Sequence, residues 1–342
     1  MKTFAHLLTG LLLATALSLP AAGQAILRVN NTGVTGTGIF ATAQAAHDAA
    51  AAGDIIYLEP TVQNLGSLIC TKRLTIIGNG YFLGENPGLQ LDARPSTLAQ
   101  VRFGPGSAGS RITGCTLTSD LVVSANNIVV ERNRIAGGMQ LGIDSGPITQ
   151  LLIRQNFISS SINFTISTGS SVNNAIITNN IIRQGLGGAN ANSPMSALIR
   201  NNVLGAATVG QGFFTVNVAN STFVNNILTG PSAIQGGLNN TFNNNISDNA
   251  AFGTANGNQA DVPLANLFLG TASPSADGEF QLKAGAGNPA RGTGESGADI
   301  GAFGSNTPYR LSGIPNVPTI FQYSQNIVGA NLNATISTRS NN

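Results

Sequence analysis

An asparagine recurs at a near-constant interval between two short apolar runs, and this periodicity constrains the chain more than any other feature. The segments Asn127 to Ile135 (NIVVERNRI), Ile148 to Ile158 (ITQLLIRQNFI), Asn173 to Ile182 (NNAIITNNII), Met195 to Leu204 (MSALIRNNVL), Asn220 to Leu228 (NSTFVNNIL) and Asn239 to Ser247 (NNTFNNNIS) superpose on Asn133, Asn156, Asn180, Asn202, Asn226 and Asn245. Successive anchors lie about 19 to 24 residues apart, the range of stacked solenoid coils. Cys115 takes the anchor's place one coil earlier, and Asn79 marks a still earlier one. Apolar residues stand three before the anchor (Val130, Ile153, Ile177, Ile199, Phe223) and two after it (Ile135, Ile158, Ile182, Leu204, Leu228). Alternation at period two makes both flanks strands that point these side chains inward. Gly- and Asn-rich connectors such as Gly185 to Ser193 leave no room for a helical repeat.

An Asn between two strands suits a tight bend, because it tolerates the left-handed backbone and its amide bonds nearby peptide groups. Coils stacked at about 4.8 Å bring each anchor over the one below, so the amides pair along the axis as a ladder. This accounts for 39 Asn among 342 residues in a chain that is 42% hydrophobic and only 9% charged. The amide excess is architectural and does not signal disorder. A formal charge of +2 gives no electrostatic footprint for nucleic acid or an anionic membrane.

At the N-terminus, Lys2, the apolar Leu7 to Leu19, Pro20 and the small residues Ala21 to Ala25 follow the order of a secretory signal peptide. Residues 1–25 are therefore excluded from the mature fold, and no later stretch reaches the ~20 apolar residues that span a bilayer. The mature chain is expected to be secreted or held at the cell surface, as a monomer, with His47 as its only histidine.

The repeat resembles that of right-handed parallel β-helix proteins, the pectate-lyase-like superfamily, over about residues 54 to 250. Phe40 to Pro60 (FATAQAAHDAAAAGDIIYLEP) is similar to the entry segment of that family, in which an Ala-rich helix caps the open end of the coil. Helix over 40–53 is also expected from composition, with Gly53 as its C-cap. Glu279 to Gly304 resembles the family's closing segment, through Asp299, Ile300, Gly301, Ala302 and Phe303. The expected architecture is all-β: a right-handed parallel β-helix of about nine or ten coils over residues 26–304, followed by an arm over 305–342. The arm has spaced prolines and then alternating residues, and is expected to fold back along the coil and cover its last strand edge, the alternative being a secretion or anchoring signal.

The resemblance leaves function open, since the superfamily hosts lyases, hydrolases, adhesins and inert scaffolds. A lyase of this type uses an Arg or Lys base with Ca²⁺ held by several carboxylates. Asp120, Glu131 and Asp144 are scattered and read as solvated surface charges. Arg154 and Arg200 share one outward column, two residues before the anchor, with Glu131 one coil below Arg154, where the two are expected to pair as exposed charges, and Thr178 between the two arginines. Arg154 is the candidate base if the chain is a lyase; Arg200, Arg183 and Phe214 are candidate substrate contacts. Paired aspartates, Gly-His-Gly and Arg-x-Lys segments are absent, and His47, expected on the surface of the cap helix, serves no nucleophile. No metal or other cofactor is expected, Ca²⁺ entering only with the lyase alternative. In an exported chain Cys70 and Cys115 are candidates for a disulfide, with separate buried thiols as the other possibility. The leading expectation is a non-catalytic surface or matrix protein presenting a polar face to a polysaccharide or cell-surface glycan.

Overall fold

A computed structural model describes residues 23–144, 146–164, 170–188, 195–205, 215–230, 233–234 and 239–341. Most of the signal-peptide reading therefore lies outside the described residues, as does Phe214.

The chain winds as a solenoid of parallel strands. One turn runs from Val129–Glu131 in a first sheet to Arg134–Ile135 in a third sheet, then Met139–Leu141 in a second sheet, and back to Leu152–Arg154 in the first. Repetition builds a twelve-stranded sheet that includes Ile26–Val29 and ends at Thr241–Asn243, and two eight-stranded sheets, Leu68–Cys70 to Ala233–Ile234 and Thr97–Leu98 to Ile246–Ser247. Alternation in the sequence decides which side chains enter: Val130, Ile153, Ile177, Ile199 and Phe223 are in register on the first sheet and buried, as are Ile135, Ile158, Ile182, Leu204 and Leu228 on the third.

The anchors form a continuous ladder. Asn133, Asn156, Asn180, Asn202 and Asn226 each donate from backbone N and from Nδ2 to the Oδ1 of the next anchor, at 2.9–3.1 Å. Every member is fully buried, so each amide meets its desolvation cost through a neighbour of its own kind. The ladder begins at Cys115, whose backbone N donates to Asn133 Oδ1. It ends one rung beyond expectation at Asn258, which accepts from Asn245 N and Nδ2 at 2.8 and 3.1 Å. The left-handed residue is not the anchor itself but the one before it: Arg132, Gln155, Asn179, Asn201, Asn225 and Asn244 all have φ near +55°. The Asn-Asn pairs thus divide two tasks, the first residue making the bend and the second the ladder.

The cap helix is shorter than 40–53. It spans Ala43–Ala49, is N-capped by Thr42 Oγ1 and ends at Ala50 rather than Gly53. Ala43, Ala46 and Ala50 close the core against Leu27, Ile56 and Leu65. His47 is buried and not on the surface: its Nε2 accepts from Thr71 N at 3.1 Å and its Nδ1 lies 2.9 Å from Asp48. Cys70 and Cys115 are separate buried thiols. Cys70 lines the second sheet while Cys115 occupies the anchor column, two different walls of the coil, and no disulfide staples them.

The third sheet is covered on its outer face as well. Phe157, Ile181, Val203, Ile227 and Ile246 pack against the chain that follows the last coil, through Leu264 and Leu267, and against the closing segment, through Phe280 and Ile300. Gly301 has φ +95°, and a Cβ there would sit 2.7 Å from Ile227 Cδ1, which is why glycine stands between the buried Ile300 and Ala302. The arm folds back, but among the described residues it is Phe252 and not the arm that closes the last coil, over Phe223 and Phe242. Instead it returns to the early coils and forms a buried clasp. Tyr309 and Tyr81 hydroxyls meet at 2.6 Å, and Asp277 accepts from Ser312 N at 2.7 Å and Asn86 Nδ2 at 3.1 Å. Burial pushes the Asp277 carboxyl above its ordinary value. The arm ends in an antiparallel hairpin, Thr319–Val328 with Asn331–Arg339, that joins no other sheet. No described helix is long and apolar enough to cross a membrane.

Candidate functional site

The outward column on the first sheet is in register as its sequence spacing predicts: Thr113, Glu131, Arg154, Thr178 and Arg200 lie side by side on successive strands. Glu131 is not a solvated charge. Its carboxylate is only 1% exposed and is held from two sides, by Arg111 Nη2 on one oxygen and by Arg154 Nε and Nη2, both at 2.6 Å, on the other. A carboxylate can be buried on an outward face only when charge-assisted hydrogen bonds replace its water. The two guanidiniums supply these while staying about one-third exposed.

The cationic character continues round the bend. Arg132, in the left-handed turn position, is buried and donates from Nε to Gln155 Oε1 at 2.8 Å and from Nη1 to Ile314 O at 2.9 Å and Asn341 O at 3.1 Å. Burial lowers its pKa; Glu131 acts the other way, and the neighbouring Arg310, Arg154 and Arg111 lower it further. Where the arm crosses this turn, a cleft of about 410 Å³ is lined by Arg132, Gln281, Tyr309, Arg310, Arg339 and Asn341, among others. Arg339 donates to Leu89 O and its guanidinium lies 5.2 Å from the Phe321 ring centre. One glutamate thus stands among Arg111, Arg132, Arg154 and Arg310, a local excess of positive charge in a chain that is nearly neutral overall.

The other sequence candidates do not gather here. Arg200 shares the column but pairs with Glu295 at 3.5 Å, near the closing segment. Arg183 follows Ile182 on the third sheet, a different wall of the coil. Asp144 is chelated by Arg102 at 2.5 and 2.6 Å, and Asp120 Oδ1 accepts from Gly138 N at 2.8 Å. Among the described residues, no three His, Cys, Asp or Glu side chains converge on one point. Sequence reasoning missed Arg111, Arg132 and Arg310. The first was within reach, since Arg111 stands four residues before Cys115, a recognised anchor position.

Guanidinium groups can hold carboxylates and sulfates through paired N–H donors, and the one carboxylate among them here, Glu131, already accepts from both column arginines. No protein-family model, curated protein or solved structure matches this chain.

Proposed function

We propose that the chain is an exported, right-handed parallel β-helix of the pectate-lyase-like type that holds an acidic polysaccharide on its arginine-rich face without cleaving it. The carrying observation is the pair Arg111 and Arg154, each about one-third exposed around the buried Glu131, beside a cleft lined by Arg132, Arg310 and Arg339. The signal-peptide pattern supplies the compartment where such a polymer is met. The reading of Arg154 as a lyase base is less well supported, because its Nε and Nη2 are both engaged by Glu131. Ca²⁺ belongs only to that second reading.

Affinity electrophoresis in gels containing polygalacturonate or alginate tests the proposal, with near-ultraviolet absorbance of unsaturated products followed in parallel, with and without Ca²⁺. Retardation that weakens with salt and with Arg154→Ala plus Arg111→Ala, without new absorbance, supports it. Unsaturated products that vanish in Arg154→Ala establish the lyase instead. No retardation at low salt, or equal retardation by DNA, refutes acidic-glycan recognition.

A further inference from the structure

The terminal hairpin is amphipathic and unpartnered. Its cross-strand pairs place Tyr323 opposite Ile336, Gln325 opposite Ala334 and Ile327 opposite Leu332 on one face, while Gln322, Ser324, Asn326 and Val328 oppose Ser337, Thr335, Asn333 and Asn331 on the other. The apolar four are 43%, 58%, 76% and 64% exposed, in the order Tyr323, Ile336, Ile327, Leu332. No charged residue occurs between Arg310 and Arg339, and no proline after Pro318. Apart from Arg339 at the end of the second strand and a register shift between Ile320 and Gln322, the devices that protect a sheet edge from association, charges and prolines above all, are therefore missing along both strands. Leu91 N occupies Ile320 O at the base of the first strand, but among the described residues no backbone group pairs with the outer edge of Asn331–Arg339.

A two-stranded hairpin is marginal in water and becomes stable with further strands and a covered apolar face. We infer that the missing strands come from second copies of this chain. Two-fold antiparallel pairing of Asn331–Arg339 with the same strand of another copy makes a four-stranded sheet, and an axis normal to that sheet keeps both apolar rows on one face. Self-pairing fits the chemistry: uncharged strands neither repel their own copies nor offer the charge pattern by which a foreign partner is selected. It also fits the area. One hairpin face measures about 30 by 10 Å, so two stacked hairpins bury roughly 600 Å² in total, below the ~1,200 Å² of a specific interface. Two four-stranded sheets stacked face to face reach roughly 1,200 Å². The smallest association that clears the threshold holds four copies, in place of the monomer expected from the sequence.

Sedimentation velocity on the full chain, at concentrations up to roughly 100 μM, tests this. The expected result is a concentration-dependent shift to even-numbered species, dominated by tetramer. Ile327→Lys combined with Leu332→Lys places like charges on the contact face at exposed positions and returns the chain to monomer, with thermal unfolding unchanged. Val62→Lys, 84% exposed and outside the hairpin, leaves the distribution as in the wild type. A wild type that stays monomeric throughout, or a double variant that assembles as well as the wild type, overturns the inference. So does a monomeric wild type that co-sediments with neutral phosphatidylcholine vesicles, which assigns the face to lipid.

Discussion

Replacing a central rung tests whether the ladder carries stability. Asn180→Ala removes a side chain that accepts from Asn156 N and Nδ2, both at 2.9 Å, and donates to Ile153 O, Thr178 O and Asn202 Oδ1 at 2.9–3.0 Å. The most costly consequence is the buried Asn156 backbone N–H left without a partner, worth about 1–3 kcal/mol alone, while each remaining bond contributes roughly 1 kcal/mol net. Summed over the five bonds, the expected loss is about 5–7 kcal/mol. Asn174 provides the comparison: it is exposed, has φ +54°, and its backbone N bonds Ser196 Oγ independently of its own side chain. Asn174→Ala should cost only the left-handed penalty of about 1–2 kcal/mol. Urea unfolding at equal m-value measures both, and hydrogen exchange at the Asn156 amide reports the local opening. If the two variants lose the same stability, the ladder adds nothing to conformational preference and the argument fails.

Glu131→Gln leaves Arg111 and Arg154 facing each other without their shared carboxylate; with both guanidiniums partly screened by water, denaturant titration should show a loss of about 2 kcal/mol that added salt reduces. Asp277 has a raised pKa in the fold, so its contribution is fully present below the ordinary carboxylate value of 3.8 and is lost as pH rises through the raised value. The difference in stability between wild type and Asp277→Asn should therefore grow in favour of the wild type as pH falls across that window, whereas a pH-independent difference would contradict it. Burial drives the thiol of Cys115 far up and that of Cys70 upward, so both should resist alkylation until unfolding, and the mass of the non-reduced protein should show two free thiols.

The solenoid was legible because its signal repeats: six anchors report the same bend, and inward positions follow from period two. The division of labour within the bend was hidden, since Arg132 and Gln155 stand where later coils have Asn179, Asn201, Asn225 and Asn244. Asn258 escaped because it follows Asn245 by 13 residues, outside the period. The column from Glu131 to Arg200 was readable, but burial of Glu131 was not, because it depends on Arg111 from a coil whose anchor is a cysteine. The clasp of Tyr81, Asp277 and Tyr309 joins segments 32 and 228 residues apart and leaves no local pattern at all.

The bonds between anchors have a direction: each anchor donates to the anchor of the C-terminal coil and accepts from that of the N-terminal one. Any rung can therefore hand its donors to any other rung's oxygen, and a coil is an exchangeable module. Excising residues 181–202 would set Asn180 beneath Asn226 and bring Val203 into the place of Ile181, its register partner, with no anchor amide in the ladder left open. Duplicating the same stretch is equally neutral to the ladder, while gaining or losing part of a coil breaks it. Such a chain can change length in whole turns, and this sets the quantum by which its lateral face can grow.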